Sequence, residues 1–195
     1  MDHSNIINHI QILNPFVLWF TGLPSSGKTT VAESLRKEFL FYSSKTLTVF
    51  DGDAVRKGLS KDLSFSKEDR HTNNLRVAEK ALNIVKGGNA VCVALISPYR
   101  ETRRKIREMI PGFIEVYIKC PLELCEKRDT KGMFKLARER KIKNFTGIDD
   151  PYEEPSNPEI TVETDKQGVK NCVNTILNEL EALGYIRRLR KPAVK

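Results

Sequence analysis

Short unbroken apolar runs alternate along the chain with stretches in which apolar residues recur every three or four positions. Residues 16–20 (FVLWF) form the first run, which is too short for a helix and apolar on both faces, as a central sheet strand requires. A Gly-rich segment, residues 22–29, follows, then a helical stretch over 30–41. Residues 46–50 (TLTVF) read as a second strand ending in Asp51-Gly52-Asp53. Ser66-Lys67-Glu68-Asp69 has the spacing of a capping box, and Leu75, Ala78, Leu82 and Val85 then fall on one helical face until Gly87-Gly88. Residues 90–96 (AVCVALI) predict a third buried strand and 101–109 a charged helix broken by Pro111-Gly112. A strand over 113–119 precedes a helix that Pro121 can open at its first position. Apolar rhythm fades from Asp129 to Pro158. A last short strand is expected over 160–163, then an amphipathic helix from Val169 to about Gly184 and a frayed basic tail. Strands alternating with helices predict one α/β domain with a mostly parallel sheet.

Composition narrows this little but excludes much. The 195 residues suffice for one ordinary core, and no stretch approaches the roughly 20 apolar residues of a membrane span. The N-terminus lacks a secretory pattern, and the four cysteines form no CxxC pair, so free thiols in a reducing, cytoplasmic setting are expected. A net charge of +8 suits anionic partners, either nucleic acid or phosphorylated small molecules.

Gly22-Leu23-Pro24-Ser25-Ser26-Gly27-Lys28-Thr29 matches G-x-x-x-x-G-K-[ST], with a predicted strand before it and a helix after it. In that context small residues let backbone N–H groups curl around a polyphosphate, and the helix start adds its positive end. Lys28 is placed to reach the β- and γ-phosphates and the Thr29 hydroxyl to help hold Mg²⁺. The loop specifies a nucleoside triphosphate without choosing a reaction. Absence of an NKxD-like guanine reader or a repeated ATPase module favours small-molecule phosphoryl transfer.

Other residues carry chemistry of their own. A carboxylate at Asp51 or Asp53, at the carboxyl end of a strand, can orient metal-bound water or accept from an attacking hydroxyl. Arg70 and Asn73 share a helix face, offering a planar fork for phosphate or sulfate and an amide for a base or sugar. Ser97 directly follows a strand; with no histidine base nearby, direct transfer is expected and Ile96 and Ser97 are read as binding residues only. Phe65 and Phe145 lie in polar, turn-rich surroundings and could stack on a purine. The basic run 128–144 is either a hydrated helix face or a lid closing over phosphates.

Taken together, FTGLPSSGKTT, DGDAVRKGL, FSKEDRHTNN, ISPYR, RDTKGMFKLAR and NFTGIDDPYE resemble, in order and over nearly the whole chain, the adenylylsulfate kinase family. The resemblance implies a P-loop NTPase-type three-layer α/β/α fold. It also implies transfer of the ATP γ-phosphate to the 3′-hydroxyl of adenosine 5′-phosphosulfate, giving 3′-phosphoadenosine 5′-phosphosulfate, with Mg²⁺. It places Asp53 at the substrate hydroxyl with Lys28 as the other catalytic group, and Asp51 with Thr29 on the metal side. Residues 22–29 with Thr30 and Arg128 would bind ATP. Arg56, Phe65, Arg70, Asn73, Ile96, Ser97, Lys131, Asn144 and Phe145 would bind the second substrate, the two phenylalanines clamping its adenine.

One domain over 1–195 is implied, with a lid at about 129–150 and a basic tail at 186–195, as a cytoplasmic homodimer binding neither nucleic acid nor membrane. Three positions depart from the family pattern. Ser25 replaces a glycine and would be strained if its φ were positive. Leu75 stands where arginine is common. Thr130 replaces proline or valine, which should be tolerated. Another small-molecule P-loop kinase, for a nucleoside monophosphate or sugar acid, is the alternative, and an NTP-regulated nucleic-acid binder a more distant one.

Overall fold

The computed structural model describes residues 7–43 and 45–190. Five strands form one parallel sheet in the order β3-β4-β2-β5-β6: β2 (Val17–Thr21), β3 (Leu47–Asp51), β4 (Ala90–Ala94), β5 (Phe113–Lys119) and β6 (Ile160–Glu163). Side chains along a strand point alternately to opposite faces, so the continuous apolar runs serve two cores. Leu18 and Phe20 face α1 (Lys28–Tyr42) and α7 (Val169–Ala182), packing with Leu35, Phe39, Ile176 and Leu180. Val17 and Trp19 face the other way, toward α3 (Lys67–Lys86) and α4 (Arg100–Met109), packing with Val77, Ala81 and Ile106. A three-layer α/β/α sandwich results, as the motifs implied. All four cysteines are buried free thiols.

Sequence expectations need correction at four places. First, residues 186–190 are not a frayed tail. They form β7 (Ile186–Arg190), which pairs antiparallel with an unanticipated β1 (Ile7–Ile12). Ile10 and Ile186 are buried at the base of the α1/α7 core, and the Arg188 guanidinium is held by Glu181 and Asn178. Burial of those two isoleucines explains why the segment is ordered despite its charge. Residues 191–195 of the tail lie outside the described residues.

Second, the capping box closes only half-way. Ser66 Oγ accepts from the Asp69 amide (3.1 Å), but the Asp69 carboxylate accepts from the Ser64 amide instead of reaching back to Ser66. Third, Pro121 sits just outside α5 (Leu122–Lys127), and β4 ends at Ala94, two residues short of Ile96. Fourth, the loss of apolar rhythm hides a short helix just after Asp129. Its carboxylate accepts from the Met133 and Phe134 amides (3.0 and 2.7 Å) and so caps α6 (Met133–Arg138). Phe134 anchors that short helix in a small cluster with Cys120 and Cys125, against which Leu23, Leu122 and Phe145 pack. Six residues, fewer than two turns, are too few to show a periodicity.

Candidate active site

A cavity of about 740 Å³ opens over the carboxyl ends of β2, β3 and β4, where open α/β sheets place their ligands. Its floor is the loop between β2 and α1. Two glycines make that loop possible. At Gly22 (φ 156°) a Cβ would lie 2.5 Å from the Ile118 carbonyl oxygen, and Gly27 (φ 100°) turns the chain into α1. Ser25 has φ 60°. The strain conditional on positive φ at this position is therefore real, and costs roughly 1–2 kcal/mol for a residue with a Cβ.

Lys28 folds over the loop. Its Nζ donates to the carbonyls of Gly22 (3.0 Å) and Leu23 (2.7 Å) and more weakly to Ser26 Oγ (3.4 Å). Burial lowers its pKa to about 8, against a smaller upward pull from Cys125 and Asp51. Next to it, Thr29 Oγ1 donates to Asp51 Oδ2 at 2.6 Å, while Asp51 Oδ1 accepts from the Asp53 amide and caps α2 (Gly52–Lys57). Asp53, one position into that helix, forms an ion pair with Lys131 from the basic segment. A strand end, a helix start and the expected lid are thus joined in one chain of contacts that begins at the loop.

The far wall comes from α2, α3 and the turn after β4. Arg56 and Arg70 approach the Phe65 ring from their guanidinium carbons at 4.7 and 5.5 Å, so the exposed ring is fixed by two cations. Arg70 also donates to the Phe65 carbonyl (3.0 Å) and the Asn144 carbonyl (2.5 Å), joining α3 to the chain that returns from the basic segment. Burial lowers the pKa of both arginines, opposed at Arg70 by Asp150 and at Arg56 by Asp69. Phe145 is both core and wall. It is half-buried, edge-on to Phe134 with centroids 4.9 Å apart, and lines the cavity. Ser97 (φ 43°) is buried, its Oγ accepting from the Trp19 indole at 2.9 Å.

Most residues singled out from the sequence therefore meet at one cavity. Gly22, Leu23, Ser26 and Asn144 do not line it. Leu23 packs in the small apolar cluster, and Asn144 contributes its backbone, with φ 56° and its amide donating to Asp149. Arg128 lines it, and is tied to Thr164 Oγ1 (3.1 Å) and the Thr164 carbonyl (2.9 Å). Thr164 Oγ1 in turn donates to the Ser26 carbonyl at 2.8 Å.

Thr164, Asn74 and Asp129 are wall residues that sequence reasoning missed. Thr164 carries no local signal, because its relation to the loop spans 138 positions. Asn74 directly follows Asn73, and Asn73 Oδ1 and Asn74 Nδ2 are both buried without hydrogen-bond partners. Leu75, standing where arginine is common in the family, packs on the α3/α4 core, and Arg76 pairs with Asp62 away from the cavity. Lys28, Arg56, Arg70, Arg128 and Lys131 still leave the cavity rich in positive charge.

Among the described residues no three His, Cys, Asp or Glu side chains form a metal cage. Thr29 and Asp51 nevertheless present two hard oxygen groups beside the loop. That fits Mg²⁺, which is held by one or two protein oxygens together with substrate phosphates.

The family model for adenylylsulphate kinase matches residues 14–163. An adenylyl-sulfate kinase of Gloeothece citriformis is 47% identical over 170 residues, covering 87% of this chain and 96% of that protein. One from Clostridium acetobutylicum is 50% identical over 167 residues, covering 85% and 82%. The structure of the Mycobacterium tuberculosis APS kinase CysC in complex with AMPPNP and APS superposes with a TM-score of 0.82 at 37% identity, covering 86% of this chain and 98% of that one. By these likenesses the chain belongs to the adenylylsulfate kinase family.

Proposed function

We propose that the cavity binds MgATP and adenosine 5′-phosphosulfate end to end and passes the γ-phosphoryl group directly to the ribose 3′-hydroxyl. The protein is an adenylylsulfate kinase, forming 3′-phosphoadenosine 5′-phosphosulfate. The observation that carries the residue assignment is the juxtaposition of Lys28, the Thr29–Asp51 pair and Asp53 on one floor, with aromatic and cationic side chains on the facing wall.

Lys28 exchanges its bonds to loop carbonyls for the β- and γ-phosphate oxygens, while the backbone N–H groups of the loop, which Pro24 lacks, cradle the chain of phosphates. Thr29 and Asp51 would hold Mg²⁺, which supplies charge neutralisation between the phosphates. Asp53 accepts a hydrogen bond from the 3′-hydroxyl and aims it. Phosphoryl transfer has a loose transition state, so aim contributes more than early deprotonation. Arg56, Arg70 and Lys131 offer donors to the phosphosulfate. Phe65 and Phe145 hold the adenine, with Asn73, Ile96 and Ser97 along its side. Arg128 stands at the ATP end. Residues 129–150 act as the lid, excluding water that would otherwise take the phosphoryl group.

A cytoplasmic homodimer working as one domain is the organisation we attach to this reading; no helix among the described residues is long and apolar enough to cross a membrane. The test is a steady-state assay with MgATP and either adenosine 5′-phosphosulfate, AMP or RNA. Formation of the 3′-phosphorylated product from the first alone is expected. Turnover with AMP, or stimulation by RNA with indifference to adenylylsulfate, would overturn the reading.

A further inference from the structure

Arg103, on α4, is buried and does not line the cavity, yet all three guanidinium nitrogens are engaged. Nε donates to Glu115 Oε1 on β5 at 2.6 Å. One Nη donates to the Ser97 carbonyl at 2.6 Å and the other to the Glu153 carbonyl at 2.7 Å. A buried ion pair is a poor source of stability, because desolvating both charges offsets their attraction and an apolar pair of like volume often does as well. What an apolar pair cannot do is fix separate acceptors in one plane, which a guanidinium fork does.

Those acceptors belong to two segments that shape the same half of the cavity. Ser97 lies in the left-handed region (φ 43°) between the wall residues Ile96 and Pro98. Glu153 lies on the chain running back from Phe145, and its amide donates to the Pro98 carbonyl at 2.9 Å. Tyr99 adds a second tie between the same segments, donating to the Asp150 carboxylate at 2.9 Å.

We propose that Arg103 is a positioning residue for the second substrate. Neutralised by Glu115, its fork locks the strained Ser97 turn and clasps it to the return limb of residues 144–154, so that the adenylylsulfate half of the cavity is preformed. The proposal rests on the functional reading above. The rival is a purely structural pair that only holds α4 to β5.

Arg103→Ala would leave the buried Glu115 with only the longer pair to Arg107 (3.4 Å), so the deciding variant is the double substitution Arg103→Met with Glu115→Gln. It removes both charges and keeps approximate volume. It is expected to unfold cooperatively near the wild-type Tm, to raise the KM for adenylylsulfate roughly tenfold or more, and to leave the KM for ATP within about twofold. Hydrogen exchange at the Glu153 amide is expected to quicken by about tenfold or more without any ligand. Arg103→Lys keeps the charge opposite Glu115 but cannot span three acceptors, and should move both readouts the same way. A folded double variant with wild-type KM for adenylylsulfate, or with wild-type protection of Glu153, overturns the clasp. Should the wild type itself ignore adenylylsulfate, the functional reading fails, and the exchange measurement alone still decides the clasp.

Discussion

Thr29 Oγ1 and Asp51 Oδ2 lie 2.6 Å apart although 22 positions separate them in the chain. The first is on the opening turn of α1, which follows β2, and the second ends β3, so the bond reaches across the end of the intervening β4 to where a metal-bound phosphate would sit. Thr29→Ala should lower kcat by about 10²-fold while costing only about 1 kcal/mol of stability, because the pair is partly exposed. Thr29→Ser, which keeps the hydroxyl, should stay near wild type. The ratio of ATP affinities with and without Mg²⁺ separates causes: it should shrink in the alanine variant, and an unchanged ratio would remove the pair from the metal side.

Lys28 should report ATP binding through protons. Its pKa is held at about 8 by burial, below the ordinary 10.5. Between those values the unfolded chain holds the extra proton, so this lysine favours folding increasingly as pH rises through the window. Polyphosphate oxygens reverse the effect by stabilising the ammonium. ATP binding at about pH 9 should therefore take up a proton, and at about pH 7 should not. Calorimetry in two buffers of different ionisation enthalpy measures this, and equal heats at the higher pH would contradict it. Lys28→Ala should abolish both the uptake and turnover.

The left-handed Ser25 makes a stability prediction independent of chemistry. Ser25→Gly removes a Cβ from a backbone at φ 60°. The gain should be about 1 kcal/mol, reduced somewhat by the greater freedom of glycine in the unfolded chain. A higher denaturant midpoint at constant m-value would show it. No change, or a fall, would mean that the serine hydroxyl recovers what the backbone loses.

Asp53 and Lys131 form an ion pair in which both side chains remain more than 60% exposed, so its contribution to stability should be under about 1 kcal/mol. Kinetics should separate the two. Asp53→Asn is expected to lower kcat by about 10²-fold or more with ATP affinity intact. Lys131→Ala should chiefly raise the KM for adenylylsulfate. If Asp53→Asn weakened ATP and kcat equally, the carboxylate would belong to the metal or the nucleotide instead of the acceptor hydroxyl.

Local pattern sufficed for much of this molecule. The parallel sheet was readable because strands buried on both faces must be continuously apolar, as residues 16–20 and 90–96 are. The phosphate loop was readable because its glycines, lysine and threonine act on neighbouring backbone, and so must be neighbours in sequence. Asp51 and Asp53 were readable from their place at a strand end. Relations between distant segments were not. Nothing near Ile7–Ile12 or Ile186–Arg190 says that they pair, since register between chain ends is set by the core both of them cap. Thr164 reaching Ser26, Arg70 reaching Asn144 and Arg103 reaching Ser97 and Glu153 each depend on which buried acceptors the fold leaves to be satisfied. Burial turns such polar groups from solvated and indifferent into ones that must find a partner, and only three-dimensional packing decides which partner is within reach.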